Sequence, residues 1–127
     1  MNQNICGWFE IPVYDMQRAI KFYEYVLGIN LQLQDLGELK MAWFPYKENA
    51  AGAPGSLVYN EKFYKPSKDG ALIYLTTPSG DLEKDTKKAE EAGGKVLIPR
   101  RQISEHFGFM AVILDTEGNR IALHSGT

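Results

Sequence analysis

Glu10 and Trp8 stand two residues apart in a run of aromatic and β-branched residues, Ile5 to Val13. In an extended strand that spacing puts both on one face with Cys6, while Ile5, Gly7, Phe9 and Ile11 take the other. A carboxylate held beside an indole loses solvation, its pKa rises, and it can serve as a general base or acid. The competing reading of Glu10 is a carboxylate paired with an arginine or backbone amides, or one that holds a ligand, and that role is the commoner. Trp8, Trp43 and Tyr74 could together form a wall for a planar ligand, because stacking rewards flat surfaces. Any one of the three, taken alone, is more often core. His124 shares strand parity with Ala122, and His106, the only other histidine, sits in a loop beside Gly108. Glu10, His106 and His124 could hold a metal by residue type, yet they lie on separate elements with no ligand spacing. No metal and no cofactor are therefore expected.

Other chemical signals are weaker. Arg100-Arg101 opens a predicted loop through Glu105-His106 that could place positive charge over a site, although such pairs are usually solvated surface. The segment Ala51-Gly52-Ala53-Pro54-Gly55-Ser56 lacks the Gly-Lys-Ser/Thr ending of a phosphate loop and precedes no helix, so it reads as a lid or connection. Cys6 falls early on a predicted buried strand with no histidine partner, and is expected to be an inert core thiol.

These residues must be positioned by regular elements. Asp15 is a natural N-cap, and Met16, Ala19, Ile20, Tyr23, Val26 and Leu27 form one helical stripe that Gly28 ends. Strands are predicted over 31–36, 39–46 and 57–60, and then over 71–77. Asp81 repeats the capping role. A second helix runs from Leu82 to about Ala92, with a thin stripe of Leu82, Thr86, Ala89 and Ala92 and a charged outer face that includes Asp85. Strands over 96–99, 107–114 and 120–124 follow, the last two joined by the turn Asp115-Thr116-Glu117-Gly118-Asn119. The order is βαβββ twice, and one interval separates both Asp15 from Asp81 and Gly28 from Gly94. That repetition predicts two similar modules curled around a shared groove, with helices outside.

Composition bounds the function. With 127 residues, 44% hydrophobic and 24% charged, the chain can build a core without staples, and it is neither disordered nor a coiled coil. A formal charge of −2 gives no broad surface for nucleic acid or an anionic membrane. The single cysteine excludes an internal disulfide framework or a cysteine-rich metal centre. Met-Asn-Gln-Asn-Ile is not a signal peptide, and no apolar run approaches the roughly 20 residues that span a bilayer, so a cytoplasmic location is expected.

The run Trp8-Phe9-Glu10-Ile11-Pro12-Val13, then Asp15, Arg18-Ala19, Phe22-Tyr23 and Leu27-Gly28, resembles the opening of the vicinal-oxygen-chelate superfamily. That superfamily includes glyoxalase I, bleomycin-resistance proteins and extradiol dioxygenases. The second half agrees in Tyr74-Leu75, Ala92-Gly93-Gly94-Lys95-Val96, Pro99, Gly108, and Asp115 followed by Gly118-Asn119-Arg120-Ile121 and Leu123-His124. The resemblance covers Trp8 to the C-terminus and is nearest to a glyoxalase-like branch. It implies an α+β fold in which two βαβββ modules, about 5–60 and 71–125 of a single domain 1–127, form an incomplete barrel around a concave site. It also implies homodimerisation and a small-molecule partner.

Members that use a metal bind it through His and Glu on the strands lining the cup. The matching positions here hold Trp8 and Ala122, and Ala71 to Tyr74 offer no histidine. The expectation is therefore a protein independent of metal on the usual ligands, binding a small planar or carbonyl compound. Trp8, Trp43, Tyr74 and His124 would line its aromatic cup, and Glu10 is the catalytic candidate. The alternative is a lyase, isomerase or dioxygenase-type enzyme with Glu10 as acid/base and a non-standard metal site.

Overall fold

Helix α1, Met16–Leu27, begins where Asp15 turns its carboxylate back onto the Arg18 amide, an N–H···O distance of 3.1 Å. It ends where Gly28 adopts φ 66°, a left-handed conformation that glycine takes without a Cβ clash. Its buried face carries Met16, Ala19, Phe22, Tyr23, Val26 and Leu27. Phe22 thus joins the predicted stripe, and Ile20 packs only partly buried at its margin. Helix α2, Leu82–Glu91, is capped in the same way by Asp81 on the Lys84 amide. Asp85 corrects the expected outer face, for it is 1% exposed. It is drawn inward because its Oδ2 accepts from the Ser79 hydroxyl at 2.7 Å within the capping turn.

The computed structural model describes residues 3–127, so Met1 and Asn2, part of the N-terminus read as no leader, lie outside it. Strands β1 (Phe9–Pro12), β2 (Gln32–Leu36), β3 (Leu39–Trp43) and β4 (Gly55–Tyr59) form one sheet in the order β1-β4-β3-β2. Strands β5 (Ile73–Thr76), β6 (Lys95–Ser104), β7 (Gly108–Leu114) and β8 (Arg120–Ser125) form a second in the order β5-β8-β7-β6. In each sheet the first strand pairs parallel with the last, and the other pairings are antiparallel. The halves therefore share one topology, as the repeated spacing predicts, and neither sheet closes into a barrel. Side chains of α1 and α2 pack with Ile11, Leu57, Leu75, Ile113, Ile121 and Leu123 in one core drawn from both halves.

Further expectations change: β3 stops at Trp43, short of Tyr46, and β4 takes in Gly55 and Ser56 from the expected connection. β6 continues through Arg100 and Arg101, where a loop is predicted. As an edge strand it tolerates Pro99, and bulges between Val96 and Ser104 absorb the irregularity. Arg100 lies 3.9 Å from the centroid of the Phe109 ring on β7, a cation–π contact that supports the extension. Cys6 precedes β1 and is exposed, so it is not a core thiol. Of the first segment, Phe9 to Pro12 pair with β4 as a strand, and the Val13 amide adds one bond to the Val58 carbonyl at 3.0 Å.

Candidate functional site

Parity on β1 sends Phe9 and Ile11 toward the helices and Glu10 to the opposite face. Ring packing sets this direction: the Phe9 ring lies over Gly55, where a Cβ would come within 2.3 Å of it. Glu10 then stands opposite Ser56 on β4, and Ser56 opposite Trp43 on β3. Glu10, Ser56 and Trp43 thus form one row across the sheet, with its ends about 10 Å apart at two strand spacings. Trp8 joins the row by donating its indole N–H to Glu10 Oε2 at 3.2 Å. Both indoles are partly open, 44% exposed for Trp8 and 40% for Trp43.

Sequence reasoning missed two members of this group. The Tyr64 hydroxyl, from the linker between the modules, donates to Glu10 Oε1 at 2.9 Å. That bond to a carboxylate is the main reason the Tyr64 phenol is held above its ordinary pKa. Ser56 is fully buried, and its Oγ has no hydrogen-bond partner. Neither could be found without knowing the strand register and the path of the linker.

Tyr74 and His124 lie on the second sheet. Tyr74 faces Ala122, and Thr76 faces His124. The His124 Nε2 lies 2.7 Å from the Phe107 carbonyl, which can only accept, so Nε2 carries the proton. Its Nδ1 meets the Thr76 hydroxyl at 3.1 Å. A hollow of about 630 Å³ is lined by Cys6, Phe9, Phe44, Ile73, Tyr74 and Thr76 among others. A smaller one of about 200 Å³ is lined by Glu10, Lys65, Ser67 and Arg120 among others. Trp8, Trp43 and His124 line neither. The structure brings Trp8, Glu10 and Trp43 onto one sheet face and Tyr74 and His124 onto one face of the other sheet.

The donor set does not fit a divalent metal. Trp8 and Ala122 offer no ligand atom, and both ring nitrogens of His124 are engaged. Among the described residues, no three of His, Cys, Asp and Glu gather at metal-binding separation.

A further polar cluster belongs to the Asp115–Asn119 turn. Glu117 Oε1 accepts from the Tyr14 and Asp15 amides at 2.9 and 2.8 Å, and its Oε2 takes the Arg18 guanidinium at 2.8 Å. Burial pushes the Glu117 carboxyl up, but Arg18, the two amides and the Thr116 hydroxyl together hold it below its ordinary value. Asp115 accepts a short hydrogen bond from the buried Tyr23 hydroxyl, and burial outweighs its donors and raises its pKa. Asn119 donates to the Pro12 carbonyl at 2.7 Å. These residues join the second module to the first. Their sequence signal was the turn itself.

Residues 5–123 match the model of the glyoxalase/bleomycin resistance protein/dioxygenase superfamily. A glyoxylase-like domain-containing protein of Didymella fabae is 30% identical over 118 residues, covering 90% of this chain and 88% of that one. Glyoxalase I from Zea mays superposes with a TM-score of 0.69 at 24% identity, over 94% of this chain. This chain spans only 45% of the maize protein's length. The trypanothione-dependent glyoxalase I of Leishmania major gives a TM-score of 0.67 at 20% identity, over 98% of this chain and 88% of that one. At these identities the two solved structures speak for the fold. With the family model spanning nearly the whole sequence, the chain belongs to the glyoxalase/bleomycin resistance protein/dioxygenase superfamily.

Proposed function

We propose that this protein binds a small planar or carbonyl compound on the face that carries Trp8, Glu10 and Trp43, without a metal on the superfamily's usual ligand positions. One observation carries the reading: two half-open indoles, Trp8 and Trp43, share one sheet face with the Glu10 carboxylate. Aromatic faces supply stacking for a flat ligand, and a few placed polar groups orient it. Glu10 fits an orienting role. Both of its oxygens are held by donors, one from Trp8 and one from Tyr64, so its carboxylate is fixed in direction.

A second reading makes Glu10 an acid/base catalyst. The observation in its favour is the Tyr64 hydroxyl, which donates a hydrogen bond to the carboxylate at 2.9 Å and links it to a second titratable group. A screen of planar aromatic and carbonyl compounds by tryptophan fluorescence, on protein without a His tag, tests the binding reading. Saturable quenching that is lost in Trp8→Phe and Trp43→Phe supports it; quenching unaffected by either sinks it. Glu10→Gln separates the two readings. It is expected to change affinity by about tenfold at most, the worth of one hydrogen bond, whereas a base would lose turnover outright. Metal analysis of the same protein is expected to find less than one equivalent, and a stoichiometric transition metal would overturn the metal-free reading.

We further propose that residues 1–127 form a single domain, because both modules contribute to one core. Homodimerisation is supported by the uncovered edges β2 and β6, which expose Leu33, Leu36, Leu97 and Ile103. Light scattering of the purified protein decides that point. A cytoplasmic location is supported by the exposed free thiol of Cys6, which suits a reducing compartment. No helix among the described residues is long and apolar enough to cross a membrane.

A further inference from the structure

Where the linker passes between the modules, it closes the hollow of about 200 Å³ against Glu10, Pro12, Asn119 and Arg120. Its polar lining is unevenly committed. Asn119 is used up: its amide N–H groups go to the Pro12 carbonyl and Asp115, and its oxygen accepts from the Ser67 amide. Glu10 is held by Trp8 and Tyr64. Arg120 is different. One of its terminal nitrogens reaches the Gly70 carbonyl at 3.3 Å, while its Nε is buried with no acceptor. The one ion pair among the described residues joins Arg18 to Glu117, so neither Arg120 nor Lys65 has a carboxylate partner.

The buried Nε is out of reach of a water-sized group, so a ligand in the hollow meets the guanidinium at its terminal nitrogens, and their charge is not neutralised by any carboxylate. We infer that this hollow recognises a carboxylate, received by Arg120 with Lys65 beside it. The two terminal Nη groups of arginine form a planar fork that matches the two oxygens of a carboxylate. Two cations against the one carboxylate of Glu10 leave a single net positive charge, which suits a monoanion better than a phosphate dianion. The volume is below the several hundred cubic ångströms that drug-sized ligands fill, so the acid is small. The inference deepens the proposed binding function and rests on it in one respect: Glu10 borders both regions, so the acid group would be one end of the same ligand.

The test uses the full chain, labelled with nitrogen-15, and follows the arginine Nε–H signals by NMR. The Arg120 signal is identified by its loss in Arg120→Lys. Acetate and benzoate are expected to shift that signal saturably, benzamide is expected to leave it in place, and inorganic phosphate is expected to bind more weakly than either acid. Benzoate affinity should fall about tenfold or more in Arg120→Met, the usual worth of a charged hydrogen bond. It should fall less in Arg120→Lys, which keeps the charge without the fork and guards against loss of fold. No shift with either acid, an equal shift with benzamide, tighter phosphate binding, or unchanged affinity in both variants would overturn the inference. Tryptophan quenching by benzamide and benzoate alike, with Arg120 unmoved, overturns it while the aromatic binding face stands. A carboxylate shift at Arg120 with Trp8 and Trp43 unperturbed supports the hollow and counts against the aromatic face.

Discussion

Ser56 is a polar residue held where an apolar one would suit the packing. Its hydroxyl is buried without a partner, so removing it takes away a desolvated polar group and little else. Ser56→Ala is therefore expected to leave stability unchanged or raise it by up to about 1 kcal/mol in urea denaturation. A clear loss of stability would mean that the hydroxyl is bonded in solution. Strand alternation made Trp8 and Glu10 legible as neighbours, because period two needs nothing beyond local sequence. Ser56 and Tyr64 were illegible for the opposite reason. One needs the β1–β4–β3 register and the other the course of a linker, and both are tertiary facts. His124 was legible as a residue of the last strand, but its bonds to Thr76 and Phe107 were not.

At the scale of elements, the two helices rest on the same device at their N-termini. Asp15 and Asp81 each accept from the amide three residues on, at 3.1 Å in both cases. Replacing either by Ala is expected to cost about 1 kcal/mol. Equal losses in the two variants, read as shifts of the denaturation midpoint, would show that the repeat extends to energetics. A negligible loss at both would remove capping from the account. Helix positions were read well because a cap, a stripe and a glycine stop are local signals that agree. Asp85 escaped because helical periodicity marks a charged position as outward unless a neighbour outside the helix, here Ser79, satisfies it. β6 escaped because Pro99 and two arginines read as a break, and only the ring of Phe109 and the freedom of an edge strand explain their place in it.

For the whole molecule, the junction of the modules is electrostatic as well as apolar. Glu117 has a folded pKa below its unfolded one, so its contribution to stability is complete above the unfolded value and is lost as pH falls through the folded one. Asp115 is raised mainly by burial and works in the other direction, contributing below its unfolded value and losing that contribution as pH rises through the folded one. The difference in unfolding free energy between the native chain and Glu117→Gln should therefore shrink between about pH 6 and about pH 3. A difference that stays constant would sink this role for Glu117. The duplicated topology was legible from the repeated interval, whereas the contacts across it were not, since they join residues about a hundred positions apart. Each sheet draws all its strands from its own half, and the backbone bonds that define it stay there. Apart from the exposed Tyr25–Glu91 contact, the direct hydrogen bonds from the first module to the second end on Asp115, Glu117 or Asn119. That turn works as a buckle: one residue inserted there would undo the polar fastening and leave only the shared apolar core to hold the two half-shells in register, so any pocket that needs both would lose its shape.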